Sequence, residues 1–404
     1  MQETTFDQLP LDIIQKCAKS LSKYGSVAAF RLTCNTMLRE FDSTLTHLVI
    51  HDDVDDQVYY MRFLERIGKQ LTRLEFFGFL RIFKKLERHE ISSDSFVTLD
   101  HVAATCPNLR SLDISYMYDL VTTMESLASL RQLRHLVATN CGITSIASLS
   151  SLEKLEHLEI DFELIDKAEM HAILPKLTHL KKLKCKITDY QKGTCFEHCN
   201  KLEDLEIDSV LNSIDVSRLP TSLRKLELTA FRGTLDGLER LTQLEHLYAY
   251  TNDLKPLAGL QNMKKLTVNG SYTTLEPLSN MSQLETLSIN GAREIDDLSP
   301  LSSCVNIVEL CMENIAHVRS LQPLSHLKKL THLYCQNSRI ESLNGLEKCE
   351  SLEKLDIQYT LVTFVAPILN LPNLHTLFTT TSHPDLRSLP KRVKVNPWFA
   401  NIPR

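Results

Sequence analysis

The side chains best suited to chemistry in this 404-residue chain are scattered cysteines, histidines and carboxylates. CFEHC (195–199) brings together Cys195, His198 and Cys199, and His135 and His157 recur near Glu159 and Asp161. A zinc site needs three or four convergent ligands with an outer shell that orients them. CFEHC has no second ligand pair at zinc spacing. Cys199 also stands just ahead of a leucine motif, as do Cys106 and Cys349, which points to core packing. Histidine recurs before the second leucine of such motifs, at His47, His135, His157, His246 and His332, so its spacing belongs to a repeat and not to a ligand set. No G-x-G-x-x-G, G-x-x-x-x-G-K, nucleophile elbow or kinase-type set is present. No metal, no cofactor and no catalytic residue is expected, and the chain reads as a non-enzyme.

The elements that must position these residues are copies of one template. LRSLDI (109), LEHLEI (155), LEDLEI (202), LETLSI (284) and LEKLDI (352) share leucine, two variable residues, leucine, one variable residue and an apolar residue. From position 109 to 374 the copies return at about 22-residue steps, inside the leucine-rich-repeat range. The end of each motif alternates apolar and variable residues, as a strand with one buried face does. The returning half is apolar at every third position, as in Leu275, Leu278, Met281 and Leu284, which suits 3-10 or short helical turns. Pro256, Pro277, Pro300 and Pro323 sit at the start of those turns, where a missing N–H costs little. No copy can bury its leucines alone, so stacked copies build one core.

The fold class that follows is α/β: a leucine-rich-repeat solenoid with a curved parallel sheet on its concave side and short helical or 3-10 turns on its convex side. Residues 109–382 are the regular repeats. Residues 45–108 are irregular first repeats, in which 54–70 and 95–106 read as longer helices. Residues 383–404 form a C-terminal cap in which Trp398 and Phe399 cover exposed leucines. Where such repeats commonly place asparagine after the strand, this chain has Cys141, Thr188, Asn252, Ser271, Ser338 and Thr360, with Glu163, Val210 and Ile315 elsewhere. An uneven coil is therefore expected.

Variable residues at the third, fifth and seventh places of each motif face the concave side. Lys182, Lys184 and Lys186 resemble an anion site. In register, however, they lie beside His157, Glu159 and Asp161 on one side and Asp204, Glu206 and Asp208 on the other, so they read as a self-neutralised ladder. Further on, the fifth-place column runs Tyr248, Thr267, Ser288, Cys311, Tyr334, uncharged and aromatic at both ends. With His246, Tyr250 and His332 beside it, this column is the expected partner-binding groove.

The composition sets outer bounds. The chain is 43% hydrophobic and 24% charged, with a net charge of −5, which argues against nucleic acid as a main partner. The N-terminus lacks a basic stretch followed by an apolar run, and no stretch approaches the ~18–20 apolar residues of a membrane span. A cytoplasmic or nuclear location, no membrane association and reduced thiols at the eleven cysteines are expected.

Residues 6–41 lack the repeat and read as three short helices. Leu9, Pro10, Asp12, Ile13, Ile14 and Leu21, then Val27, Phe30, Leu32, Cys34 and Leu38, follow the pattern of an F-box, although Cys17 and Ala18 stand where larger aliphatics are usual. With the repeats behind it, the chain resembles the F-box/leucine-rich-repeat family, with residues 1–44 as the F-box-like helical module. That resemblance implies a substrate-recognition subunit of an SCF-type cullin-RING ubiquitin ligase. Leu9, Pro10, Ile13, Ile14, Leu21, Val27 and Phe30 would then meet a Skp-type adaptor tied to a cullin scaffold, and the concave face would hold a protein substrate. The alternative is a plain leucine-rich-repeat interaction scaffold, such as a phosphatase or ribonucleoprotein regulatory subunit, whose first helices only cap the coil.

Overall fold

A computed structural model describes residues 46–51, 61, 64–77, 97–117, 123–188, 196–209, 214–380 and 384–395. The F-box-like segment, with Leu9, Pro10, Ile13, Ile14, Leu21, Val27 and Phe30, lies outside the described residues, as do Trp398 and Phe399 of the expected cap. The chain divides into two compact units, Met1–Leu202 and Glu203–Arg404.

In the first unit the described strands are β1 (His47–His51), β2 (Arg73–Phe77), β3 (Ser111–Asp113), β4 (His135–Ala138), β5 (His157–Asp161) and β6 (Lys182–Ile187). Each pairs in parallel with the next, second leucine against second leucine: Leu74 with Leu112, Leu112 with Leu136, Leu136 with Leu158, Leu158 with Leu183. Two short helices lie on the returning side. Helix α1 (Leu99–Thr105) falls inside the expected 95–106 helix and is capped by the Thr98 side chain on the His101 N–H; helix α2 (Lys167–Ile173) is capped by Asp166 on the Ala168 N–H. Residues 64–67 are helical and run into the 3-10 turn Gly68–Gln70, within the expected 54–70 helix.

In the second unit the described strands are β7 (Asp204–Ser209), β8 (Lys225–Thr229), β9 (His246–Tyr250), β10 (Lys265–Asn269), β11 (Thr286–Ser288), β12 (Glu309–Cys311), β13 (His332–Tyr334), β14 (Lys354–Asp356), β15 (Thr376–Phe378) and β16 (Lys394–Val395). They too are parallel and follow chain order. The returning segments are single 3-10 turns, and Pro256, Pro277, Pro300 and Pro323 open them as expected, joined by Pro367.

The spacing of three has a direct cause. The Leu278 N–H donates to Leu275 O, Met281 to Leu278 O and Leu284 to Met281 O, at 2.8–3.1 Å. Leu278 and Met281 are thus each both donor and acceptor in a chain of i to i−3 bonds, which turns the apolar residues to the same side. Leu275, Leu278, Met281, Leu284, Leu287 and Ile289 are all fully or almost fully buried.

The strands enter the sheet through a second recurring device. One carbonyl accepts two successive N–H groups of the next turn: Arg224 O takes Glu245 and His246, Glu245 O takes Lys264 and Lys265, Val308 O takes Thr331 and His332. The exits are less regular. Seven residues after the first leucine the chain turns left-handed at Asn140, Ala230, Gly291, Asn314 and Asn337, and also at Tyr116 and Tyr359. Asn252 and Asn290 accept from the next turn's Ser271 and Glu313 N–H groups, whereas Cys141, Ser338 and Thr360 donate back to carbonyls of Ile114, Cys335 and Ile357. The expected unevenness is thus located at the exits, and strand length varies with it.

Gly270 has φ +147°, and a Cβ there would lie 1.8 Å from the Thr251 carbonyl oxygen. A Cβ on Gly142 would meet nothing within 4 Å. Gly270→Ala is expected to lower stability by about 2 kcal/mol or more. Gly142→Ala is expected to be neutral or to stabilise by about 0.4–1 kcal/mol. Urea midpoints of the two variants measure both.

Candidate protein-interaction surface

Alternation along each strand sends the leucines inward and the third, fifth and seventh places to the open face. On that face β5 and β6 carry the expected register: His157 beside Lys182, Glu159 beside Lys184, Asp161 beside Lys186. Glu159 is hydrogen-bonded along its own strand to His157 Nε2, at 2.8 Å, and Lys186 reaches Glu163 at 2.7 Å. The His135 and His157 rings meet in a T-shaped arrangement, with centroids 5.8 Å apart and planes 63° from parallel.

A clearer ladder stands one place earlier, at the strand entries. Glu156 is bracketed by Arg134 and by Lys181 at 3.3 Å; Glu245 is bracketed by Arg224 at 2.6 Å and Lys264 at 2.7 Å. Lys264 and then Arg224 hold the Glu245 carboxyl below its ordinary range, and Lys181 and Arg134 do the same for Glu156. The sequence pattern holds both triplets, as second-place residues of consecutive motifs, but alternation had directed attention to the columns further along.

The expected groove residues all reach the open face of the second unit. Tyr248 and Tyr250 are 38% and 42% exposed, while His246, Thr267, Ser288, Cys311, His332 and Tyr334 are half-buried. The register aligns Tyr248, Thr267, Ser288, Cys311 and Tyr334 across five strands. The column does not stop at Tyr334. It continues through Asp356 to Phe378.

Tyr334 differs from Tyr248 in being already engaged. His332 stacks beside it, with ring centroids 6.3 Å apart, and the Lys354 ammonium lies 4.9 Å from the Tyr334 centroid and 5.4 Å from that of Phe378. Asp356, between the two rings, is only 9% exposed and accepts from the Gln358 N–H at 3.0 Å. Burial is the largest cause raising its pKa. Lys354, Asp356 and Phe378 were missed by sequence reasoning, although the same column rule extended by two motifs finds them. Cys311 is pushed up to about 12 by burial and then by Glu309 and Glu313, which keeps its thiol protonated.

Comparison of the sequence with protein-family models and with curated proteins gives no match. The fold does match solved structures. An internalin from Listeria monocytogenes superposes with a TM-score of 0.60 at 22% identity, over 77% of this chain and 92% of that one. An LRR protein of Leptospira interrogans gives 0.61 at 19% identity, over 78% and 86%. The functional domain of InlJ from Listeria monocytogenes, which includes a cysteine ladder, gives 0.51 at 18% identity, over 83% and 73%.

The lowered pKa of Glu245 makes its contribution depend on pH. A carboxyl held below its unfolded value stabilises the fold above that value and loses the contribution as pH falls through the folded pKa. The stability gap between wild type and Glu245→Gln is therefore expected at neutral pH, to shrink below about pH 4.5 and to close in stronger acid. Urea midpoints across that range check it. The repeat, its register and the structural likenesses together establish that this chain has the leucine-rich-repeat fold.

Proposed function

We propose that the chain is a protein-binding receptor whose open sheet face holds a protein partner and whose N-terminal segment docks on a Skp-type adaptor. It would then serve as the substrate-recognition subunit of an SCF-type cullin-RING ubiquitin ligase. The observation that carries the binding half is the continuous column from Tyr248 to Tyr334, in register across five strands on the open face, with Tyr248 exposed and the rest half-buried. Tyrosine rings give large contact area for little lost entropy and serve as anchors in interfaces. The support for the adaptor half is the sequence resemblance of Leu9, Pro10, Ile13, Ile14, Leu21, Val27 and Phe30 to an F-box. In such an assembly the receptor performs no bond chemistry. It holds a substrate lysine near a charged conjugating enzyme, so that an encounter becomes effectively intramolecular.

The second reading, a repeat scaffold outside the ubiquitin system, shares the binding face and differs only in the N-terminal segment. The full chain is therefore purified from cells beside two variants. Ile13→Asp with Ile14→Asp is expected to lose a Skp-type adaptor and keep the partner of the sheet face. Tyr248→Ala with Tyr334→Ala is expected to keep the adaptor and lose that partner by about 30-fold or more, the loss typical of truncated anchors. An adaptor absent from every preparation would leave the scaffold reading standing alone. A partner retained at full strength by the folded tyrosine variant would overturn the binding face.

A further inference from the structure

Beyond the strand exits of the second unit, three places stay small or polar from turn to turn and then change together. The first is the left-handed residue after the strand, which runs Gly291, Asn314, Asn337 and then Tyr359. The second lies just ahead of the buried Ile295, Val318, Ile340 and Val362, and runs Glu294, His317, Arg339 and then Leu361. The third lies just ahead of the buried Leu298, Leu321, Leu343 and Val365, and runs Asp297, Ser320, Ser342 and then Phe364. In the turn after β14 all three side chains are large, apolar and open to solvent: Tyr359 is 66% exposed, Leu361 51% and Phe364 68%. The backbone at Tyr359, φ 56°, is one that glycine and asparagine adopt more readily, so the local turn does not account for the ring. Large apolar groups gathered on a surface mark a contact site.

We propose that the segment following β16, residues 396–404, folds back over this patch and seats Trp398 against Leu361 and Phe364. The inference is independent of the binding face proposed above. Position favours this occupant. The exits of neighbouring turns touch, since the Tyr359 N–H donates to Thr380 Oγ1 at 2.9 Å. Leu355 pairs with Leu377 and Leu377 with Val395, all in parallel, so the chain leaves β16 on the side where the patch lies. Two strand spacings separate β14 from β16, about 10 Å. About three extended residues span that distance, at ~3.5 Å each, which brings Trp398 within reach. Chemistry agrees with position. NPWFANIPR (396–404) carries Trp398, Phe399 and Ile402 and a single charge, at Arg404. The cap expected from the sequence places Trp398 and Phe399 over exposed leucines. Leu371, Leu374 and Leu377 of the last turns are 3% exposed or less, so the apolar surface left to cover near β16 is this patch. A last turn has no successor to shield it, and a segment that returns over its apolar groups does that work.

Trp398 is the single tryptophan of the chain, so its emission reports this contact alone. In the full chain that emission is expected to be blue-shifted relative to N-acetyltryptophanamide, and the indole to be shielded from acrylamide. Leu361→Ala with Phe364→Ala is expected to return both readings toward those of the free amide. Leu164→Ala removes a comparably exposed leucine, at 62%, from the first unit and should change neither reading. Far-UV circular dichroism and thermal midpoints confirm that each variant is folded.

A double-mutant cycle in thermal midpoints tests the contact itself. The losses from Phe364→Ala and Trp398→Ala should fail to add, because each variant already removes what the other would. A solvent-like Trp398 in the folded wild type would overturn the proposal. So would a blue shift that survives Leu361→Ala with Phe364→Ala, which places the indole elsewhere, and so would additive losses in the cycle. The same emission at every protein concentration supports a contact within one chain. A blue shift that fades on dilution, with a dimer in sedimentation equilibrium, assigns the patch to a second copy of this chain and sinks the proposal.

Discussion

The constraint on which the rest depends is that a single turn of this chain cannot cover its own leucines. Leu284, Leu287 and Ile289 point to one side of a strand, while Leu275, Leu278 and Met281 point inward from the returning half. Only the turns before and after can close that column. Each buried leucine is worth about 1.5–3 kcal/mol, and the gain is collected only when neighbours stack in one register. Pairing second leucine with second leucine, from Leu247 with Leu266 to Leu355 with Leu377, is the result. Because strand side chains alternate, a slip of one residue would turn every leucine to solvent. Register thus fixes the open face as firmly as it fixes the core.

Backbone satisfaction follows from the same stacking, differently at the two ends of each strand. At the entry, one carbonyl serves two N–H groups of the following turn, a bond pattern that needs no particular side chain. The second-place residue is therefore free to be Arg224, Glu245, Lys264 or Val308, and in two places that freedom carries an alternating ion-pair triplet. At the exit the chain must turn, and side chains supply the missing partners. Asparagine does so at Asn252 and Asn290, a thiol at Cys141, and hydroxyls at Ser338 and Thr360. Several chemistries solve the same local problem, which is why an asparagine ladder is dispensable here.

This division explains what could be read from the sequence. Core columns, 3-10 turns and helix α1 were legible because burial imposes periods of two and three on residue type. The prolines at the turn starts were legible because a missing N–H is tolerated only there. The open-face columns were legible in position, and His246, Tyr248, Tyr250, Thr267, Ser288, Cys311, His332 and Tyr334 all reach that face. Their engagement was not. Whether Glu159 pairs along its strand with His157 or across it depends on rotamers that no spacing encodes. Tyr334 and Tyr248 occupy equivalent places, and the next strand sets Lys354 and Lys265 at the same third place, yet among the described residues it is Lys354 whose ammonium lies over the tyrosine ring, within reach of Phe378 as well.

The thiols show how the stacked core limits the chemistry of the surface. Cys304 and Cys349 donate to carbonyls of the preceding turns, Leu278 and Leu324, each at 3.4 Å, and Cys335 donates to Asp356 O at 3.2 Å. Burial raises the pKa of Cys106, Cys141, Cys304, Cys335 and Cys349, and the half-buried Cys311 is raised by burial together with its flanking glutamates. A protonated thiol is a poor nucleophile, and a thiol held by a backbone carbonyl acts as a small packing group that also satisfies an acceptor. Cys311, the half-buried member of this set, therefore contributes a neutral, compact surface on the open face between Ser288 and Tyr334. What the face presents at that point is a neutral thiol flanked by rings and carboxylate acceptors.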